Sequence, residues 1–231
     1  MRHRLTLSIF AGSMLASLVL GAHFVSPVFA GPLEDGAQAF STGDFKTAFM
    51  HWSKAAAAGD AKGQYNTAIL FDQGKGTDRN IGEALKHYKL AADQGDSMAA
   101  FNIGLIYLNG DGVERNVAEG LKYYQKAADL GDLLATYNLA VIHSEGKLVP
   151  QDYVQAAKLF TKAAEKKHTA SQTALGNMYA IGQGVPADIE KATEWHEKAS
   201  ESVMTGENNT SCTTQKSAVN LESCRRVVPH M

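Results

Sequence analysis

The sequence predicts an all-α solenoid, a stack of helix pairs, and three observations lead there. Gly59-Asp60, Gly95-Asp96 and Gly131-Asp132 recur with a period of 36 residues, the mark of a repeat architecture. Large and small residues recur in the same register. Trp52, Tyr88, Tyr124 and Phe160 form one column, and Ala48, Ala84, Gly120, Ala156 and Ala192 another. A third column, Phe71, Tyr107, His143 and Tyr179, follows Ala68, Gly104, Ala140 and Gly176 by three residues, a knob-and-hole spacing for helices packed along a seam. Finally, every period holds two helical stretches, here A and B, bounded by capping residues.

In chain order, residues 1–30 open with Arg2, His3 and Arg4, continue through the apolar run from Leu5 to Leu20, and reach small residues before Gly31. That layout predicts a secretory signal peptide cut after Ala30, with a cut after Ala22 as the second site. A retained anchor is the alternative, since Leu5 to Ala22 is just long enough to span a bilayer. Thr6, Ser8, Gly12, Ser13 and Ser17 weaken that alternative. Loss of the segment removes Arg2 and Arg4 and no acid, taking the net charge from −2 to −4. The mature chain is thereby expected to be periplasmic or secreted, with no membrane span.

The solenoid is expected over 31–202. A short, irregular helix near Leu33 to Ser41 precedes a B helix over about 45–58, which starts after Asp44. A helices follow over about 61–73, 97–109, 133–145 and 169–181. Asp60, Asp96 and Asp132 stand as N-caps, where a carboxylate accepts an otherwise unpaired backbone N–H. Gly74, Gly110, Gly146 and Gly182 end these helices, because glycine fits the left-handed residue after a helix C-terminus. B helices start after Asn80, Asn116, Asp152 and Asp188, with Glu83, Glu119 and Gln155 three residues on as capping boxes, and Gly59, Gly95 and Gly131 close them. The count is four complete pairs and a leading pair with a shortened first helix. Residues 203–231 leave the repeat as a polar tail or cap. Its Ala218, Leu221 and Val228 can cover the last apolar surface, and Cys212 and Cys224 can form a disulfide in an oxidising compartment, worth roughly 3 kcal/mol. The alternative is a frayed tail with free or intermolecular thiols.

The pattern Tyr-Asn-x-Ala/Gly-x-x-aromatic-x-x-Gly-x-Gly, seen at Tyr65 to Gly76 and Phe101 to Gly112, together with the run from Tyr88 to Gly95, resembles the Sel1-like repeat, a relative of the tetratricopeptide repeat. The likeness covers about 43–202. Departures are Leu148 for the second loop glycine, His143 in the aromatic column, Lys167 for a closing glycine, and Asn177 at an apolar position. The resemblance implies a right-handed superhelix with A helices on the concave face, B helices on the convex face, and a role in holding protein partners. Some secreted cysteine-rich relatives are described as penicillin-binding or weak β-lactamase proteins. They carry a cysteine pair in each repeat, and this chain has only two cysteines, both in the tail, so that activity is not carried over.

Composition narrows the class of work. Lys plus Arg number 22 against 24 for Asp plus Glu, a balance without the basic field that nucleic-acid binding needs. Lys62 is the single basic residue in the A windows, whereas Lys54, Lys86, Lys89, Lys122, Lys126, Lys158, Lys162 and Lys198 crowd the B helices, so no carboxylate clamp lines the inner face. Tyr65, Phe101 and Tyr137 beside Asn66, Asn102 and Asn138 offer flat apolar contact with neutral amides, suited to a peptide or a glycan. The same two columns are also read as repeat consensus, with the rings packed between helices. Partner-specific contacts then fall in variable columns: Lys62, Gln64, Asp72, Gln73, Met98, Asn109, Thr136 and Glu145. His51 and His87, one repeat apart, are too widely separated to share a metal, and His143 and Glu145 point to different sides of one helix. With no zinc, phosphate-loop or nucleophile-elbow motif, the sequence is read as a noncatalytic protein-binding scaffold without cofactor. A regulator that binds murein or a murein-processing enzyme is the alternative, and a hydrolase of β-lactamase type the least favoured.

Overall fold

The computed structural model describes residues 31–204, and among them the chain forms ten helices and no strand. In order they are α1 (Pro32–Ser41), α2 (Phe45–Ala57), α3 (Ala61–Gln73), α4 (Ile81–Asp93), α5 (Ser97–Asn109), α6 (Val117–Asp129), α7 (Leu133–Glu145), α8 (Tyr153–Ala164), α9 (Thr169–Ile181) and α10 (Ile189–Met204). Each packs chiefly on the helices before and after it in the chain, the contact pattern of an all-α solenoid. The predicted signal segment, and the tail with Cys212 and Cys224, lie outside the described residues.

The capping residues set these limits. Asp60, Asp96 and Asp132 accept from the backbone N–H of Gly63, Ala99 and Ala135 at 2.7–2.8 Å. Asn80, Asn116 and Asp152 do the same for the B helices at 2.9–3.0 Å. Gly74, Gly110, Gly146 and Gly182 take left-handed φ angles of 64–73°, which a Cβ would resist. At the fourth A helix the Asp column is occupied by His168, a buried N-cap whose Nδ1 accepts from the Ser171 N–H at 3.3 Å. Aligning the columns places His168 in that role, though its residue type conceals it. Lys167, one residue earlier, holds the left-handed position of the missing glycine, with φ of 62°.

Each repeat centres on the B-helix aromatic ring. Tyr124 sits on Gly104, where a Cβ would collide with it, and stacks on Phe101 at 5.1 Å between ring centres. His196 lies likewise on Gly176, and Trp52 on Gly36. The knob facing the small column is thus this ring; the Phe71 column remains half-buried, with Phe71 stacked on His87 and Tyr107 on Tyr123. The leading pair differs in its loop as well as its short helix: three residues (42–44) join α1 to α2, where seven (74–80) join α3 to α4. The spacing from hole to knob shortens by the same four residues, from Gly104–Tyr124 to Gly36–Trp52, so the contact is preserved.

Adjacent repeats lock through the Gly-x-Gly loops. A Cβ on Gly76 or Gly184 would strike the carbonyl of Phe45 or Tyr153, and one on Gly112 the side chain of Ile81, each at the start of the preceding B helix. Leu148, which replaces the corresponding glycine, lies outside the left-handed region and packs on the core instead. The last residue of the Ile81 column among the described residues, Ile189, is 67% exposed. On α9 the residues equivalent to Tyr65 and Ile69 are Thr173 and Asn177, both exposed, so the departure at Asn177 marks a polar end to the stack.

Replacing Lys167 by glycine removes the left-handed strain of a side chain, and Lys167→Gly is expected to stabilise the fold by about 1 kcal/mol, a Tm rise of about 2–4 °C in a thermal melt.

Candidate functional site

The conspicuous columns are internal. Tyr65, Asn66, Phe101 and Asn102 have no exposed surface, Asp72 and Asn138 are buried, and Tyr137 is half-buried against Phe160 and His168. Asn102 Nδ2 donates to the Tyr88 hydroxyl at 3.2 Å, tying α5 to α4 of the previous repeat, and that hydroxyl lies 3.5 Å from Asp72 Oδ2 on α3. One repeat on, Tyr124 lies beside Asn138 without closing a bond of good geometry, and burial pushes its phenol far above the ordinary tyrosine range. At the last junction the pair is Phe160 and Ala174, so hydroxyl and amide disappear together. The column is therefore an inter-repeat tie. Gln64 and Thr136, from the variable set, are buried as well, with Gln64 accepting from Gln94 Nε2 at 2.7 Å.

On α3 the two ends of one stripe reach solvent. Residues 62, 66, 69 and 73 share a helical face; Lys62 is exposed and Gln73 half-exposed, while Asn66 and Ile69 between them are sealed. Met98 and Asn109 are the half-exposed ends on α5, and Glu145 is half-exposed on α7. The row Gln73, Asn109, Glu145 and Ile181 thus runs along the C-terminal ends of the A helices, next to the connecting loops.

Those loops carry charged residues absent from the sequence-based set. Arg79 Nε donates to the Asp72 carbonyl at 2.9 Å, Arg115 Nε to the Leu108 carbonyl at 2.8 Å, and Gln151 Nε2 to the Ser144 carbonyl at 2.8 Å. In all three a side chain seven residues on satisfies a carbonyl in the last turn of the A helix. Arg79 also reaches Asp111 at 2.6 Å, and that hydrogen bond raises its pKa further. Arg79 and Arg115 stand one period apart in the sequence, but the carbonyl that gives them purpose is not visible there.

A cavity of about 490 Å³ opens at the other edge, between the α8–α9 corner and α10, lined by Gln172, Trp195, Lys198 and Ser202 among others. Ser202, in the column of Gln94, bonds Gln172 at 3.2 Å, where the longer Gln94 bonds both Gln64 and the Gly59 carbonyl. Lys198 lies over the Trp195 ring at 4.3 Å. Among the described residues no cluster of three or more His, Cys, Asp or Glu side chains could hold a metal, and no helix is long and apolar enough to cross a membrane. His51 lies 3.8 Å from Asp35, and His87 is half-buried against Phe71.

Comparison with known proteins follows this geometry. The family model described as Sel1 repeat matches five times in succession, over 33–60, 61–96, 97–132, 133–168 and 169–202. The crystal structure of a Sel1 repeat protein from Oxalobacter formigenes is 35% identical, with a TM-score of 0.63 over 71% of this chain and 48% of that one. A protective antigen of uropathogenic Escherichia coli, described as displaying an SLR fold, is 26% identical, with a TM-score of 0.68 over 74% of this chain and 37% of that one. A curated relative, the mouse DAP3-binding cell death enhancer 1, is 38% identical over 50 residues, 22% of this chain and 10% of its own length. The chain therefore spans less than half of either solved relative and a tenth of the curated one.

Two expectations follow from the buried groups. Tyr88→Phe and Asn102→Ala each remove the same buried hydrogen bond, so a double-mutant cycle by denaturant unfolding should show coupling of about 1 kcal/mol, with the pair costing less than the sum of the singles. Burial lowers the His87 pKa, with Glu83 opposing weakly. The unfolded chain then takes up this proton first, and stability falls as pH drops below roughly 6.5 towards the folded-state value. His87→Tyr, which copies Tyr123 of the next repeat, should remove that part of the acid slope in melts between pH 7 and 5.

Proposed function

We propose that this chain, which belongs to the Sel1 repeat family, is an exported scaffold of the cell envelope or the secreted fraction that binds a protein segment along the accessible ends of its A helices. Proteins of this family are generally protein–protein interaction scaffolds. The observation that carries the finer reading is a division of labour between columns. The repeated aromatic and amide residues are consumed in packing, whereas Lys62, Gln73, Met98, Asn109 and Glu145 lie in columns that differ from repeat to repeat and stay at least partly open to solvent. A surface that is regular in shape and irregular in chemistry suits one extended partner, read on what the family resemblance makes the concave side. Export rests on the charged, apolar and small-residue succession of 1–30.

Photo-crosslinking from positions 62, 73, 109 and 145 in the native host should capture one common protein. An Asn109→Arg, Glu145→Arg double variant, with an unchanged melt, should lose that product by roughly tenfold, since two misplaced charges outweigh a typical rim contact. Capture of murein sacculi alone, or of nothing, would overturn the reading. Mass spectrometry of the mature N-terminus tests export, for which Gly31 is the expected first residue and an intact Met1 the contrary result.

A further inference from the structure

The three loop corners repeat one frame with three different contents. At the first, between α3 and α4, Arg79 is fixed by Nε on the Asp72 carbonyl, and its outer nitrogen holds the Asp111 carboxylate at 2.6 Å, with Asp72 Oδ1 at 4.0 Å. At the second, between α5 and α6, Arg115 is fixed in the same manner on the Leu108 carbonyl at 2.8 Å. Both carboxylates of the first corner are gone there. Leu108 stands in the Asp72 column and Lys147 in the Asp111 column, and Lys147 turns to Glu145 at 3.2 Å. Among the described residues Arg115 takes part in no ion pair, and it is exposed. At the third corner Gln151 is neutral and bonds the Ser144 carbonyl and the Tyr153 hydroxyl, each at 2.8 Å.

From this comparison we infer that the second corner, Arg115 flanked by Lys147, is a binding site for a carboxylate of an acidic peptide segment, taking from a partner the group that Asp111 supplies to Arg79 within the chain. Anchoring of Nε removes rotamer freedom from the guanidinium before any ligand arrives, leaving its outer N–H groups set in the planar fork that matches a carboxylate. Glu145 balances Lys147, so the net attraction comes from Arg115. The site lies beside Asn109 and Glu145, at the centre of the row assigned to the partner, and its assignment to a peptide rests on the scaffold reading.

The test follows the arginine side-chain NMR signals of the full mature chain during titration with a capped Asp-Glu-Asp-Glu peptide and with its Asn-Gln-Asn-Gln counterpart. The Arg115 Nε–H signal should shift saturably with the acidic peptide only, while the Arg79 signal stays in place. Arg115→Gln should weaken binding roughly fivefold or more, and Lys147→Asp should abolish it by rebuilding the internal pair. Asp111→Asn should let the Arg79 signal respond to the acidic peptide too, by less than Arg115 does because Asp72 stays 4.0 Å away. Equal shifts of both arginines, undiminished binding by Arg115→Gln, or no response to the acidic peptide would overturn the inference. A native partner crosslinked as well by Arg115→Gln as by the unaltered chain would also overturn it, while leaving the scaffold reading in place.

Discussion

The fold depends on a three-helix junction made once per repeat. A B-helix ring rests in the space left by a small residue of its own A helix, and the A helix of the following repeat closes over it. No single hairpin supplies all three walls. Burial of these rings is therefore shared between neighbours, and a hairpin taken alone would leave its largest apolar group exposed to water at a cost of about 2–3 kcal/mol. The continuous core from Tyr65 to Met178 is the outcome, with a smaller cluster around Trp52 and Leu70 at the leading end.

The polar elements obey the same constraint. A hydroxyl or amide inside the junction costs least with a partner, as Asn102 has on Tyr88; the Tyr124 and Asn138 pair lies adjacent without a bond of good geometry, and at Phe160 and Ala174 both polar groups are lost together. The same reasoning explains Gln64 with Gln94, and Gln172 with Ser202, in one pair of columns, against Ala100 with Leu130 in the next repeat. Where the stack ends, the rule reverses. Thr173 and Asn177, both exposed among the described residues, replace a ring and a branched aliphatic there, while Ile181 and Ile189 nearby stay exposed.

Helix limits were legible because they are local: Asp60, Asn80 and Gly74 carry their capping chemistry in their own residue type. His168 escaped, since histidine is an unusual cap, and only the column identifies it. The direction of the recurring rings and amides was not legible. A column kept for packing and a column kept for binding repeat with equal fidelity, and the difference lies in how closely the next A helix approaches, a property of the assembled stack. Tyr65, Phe101 and Asn102 are sealed by that approach, while Asn109 and Glu145, at the helix ends, escape it. The arginine corners were hidden for a related reason: an exposed cation in a loop has no meaning until the carbonyl it satisfies is in place.

Shared burial makes a definite demand on stability along the chain, since an inner repeat has two neighbours and an end repeat one. Native-state hydrogen exchange measures it directly. The account predicts that amides of α5, α6 and α7 exchange slowest, with protection declining towards α1 on one side and α10 on the other. Equal protection in α1, α5 and α10, or slowest exchange at an end, would contradict it.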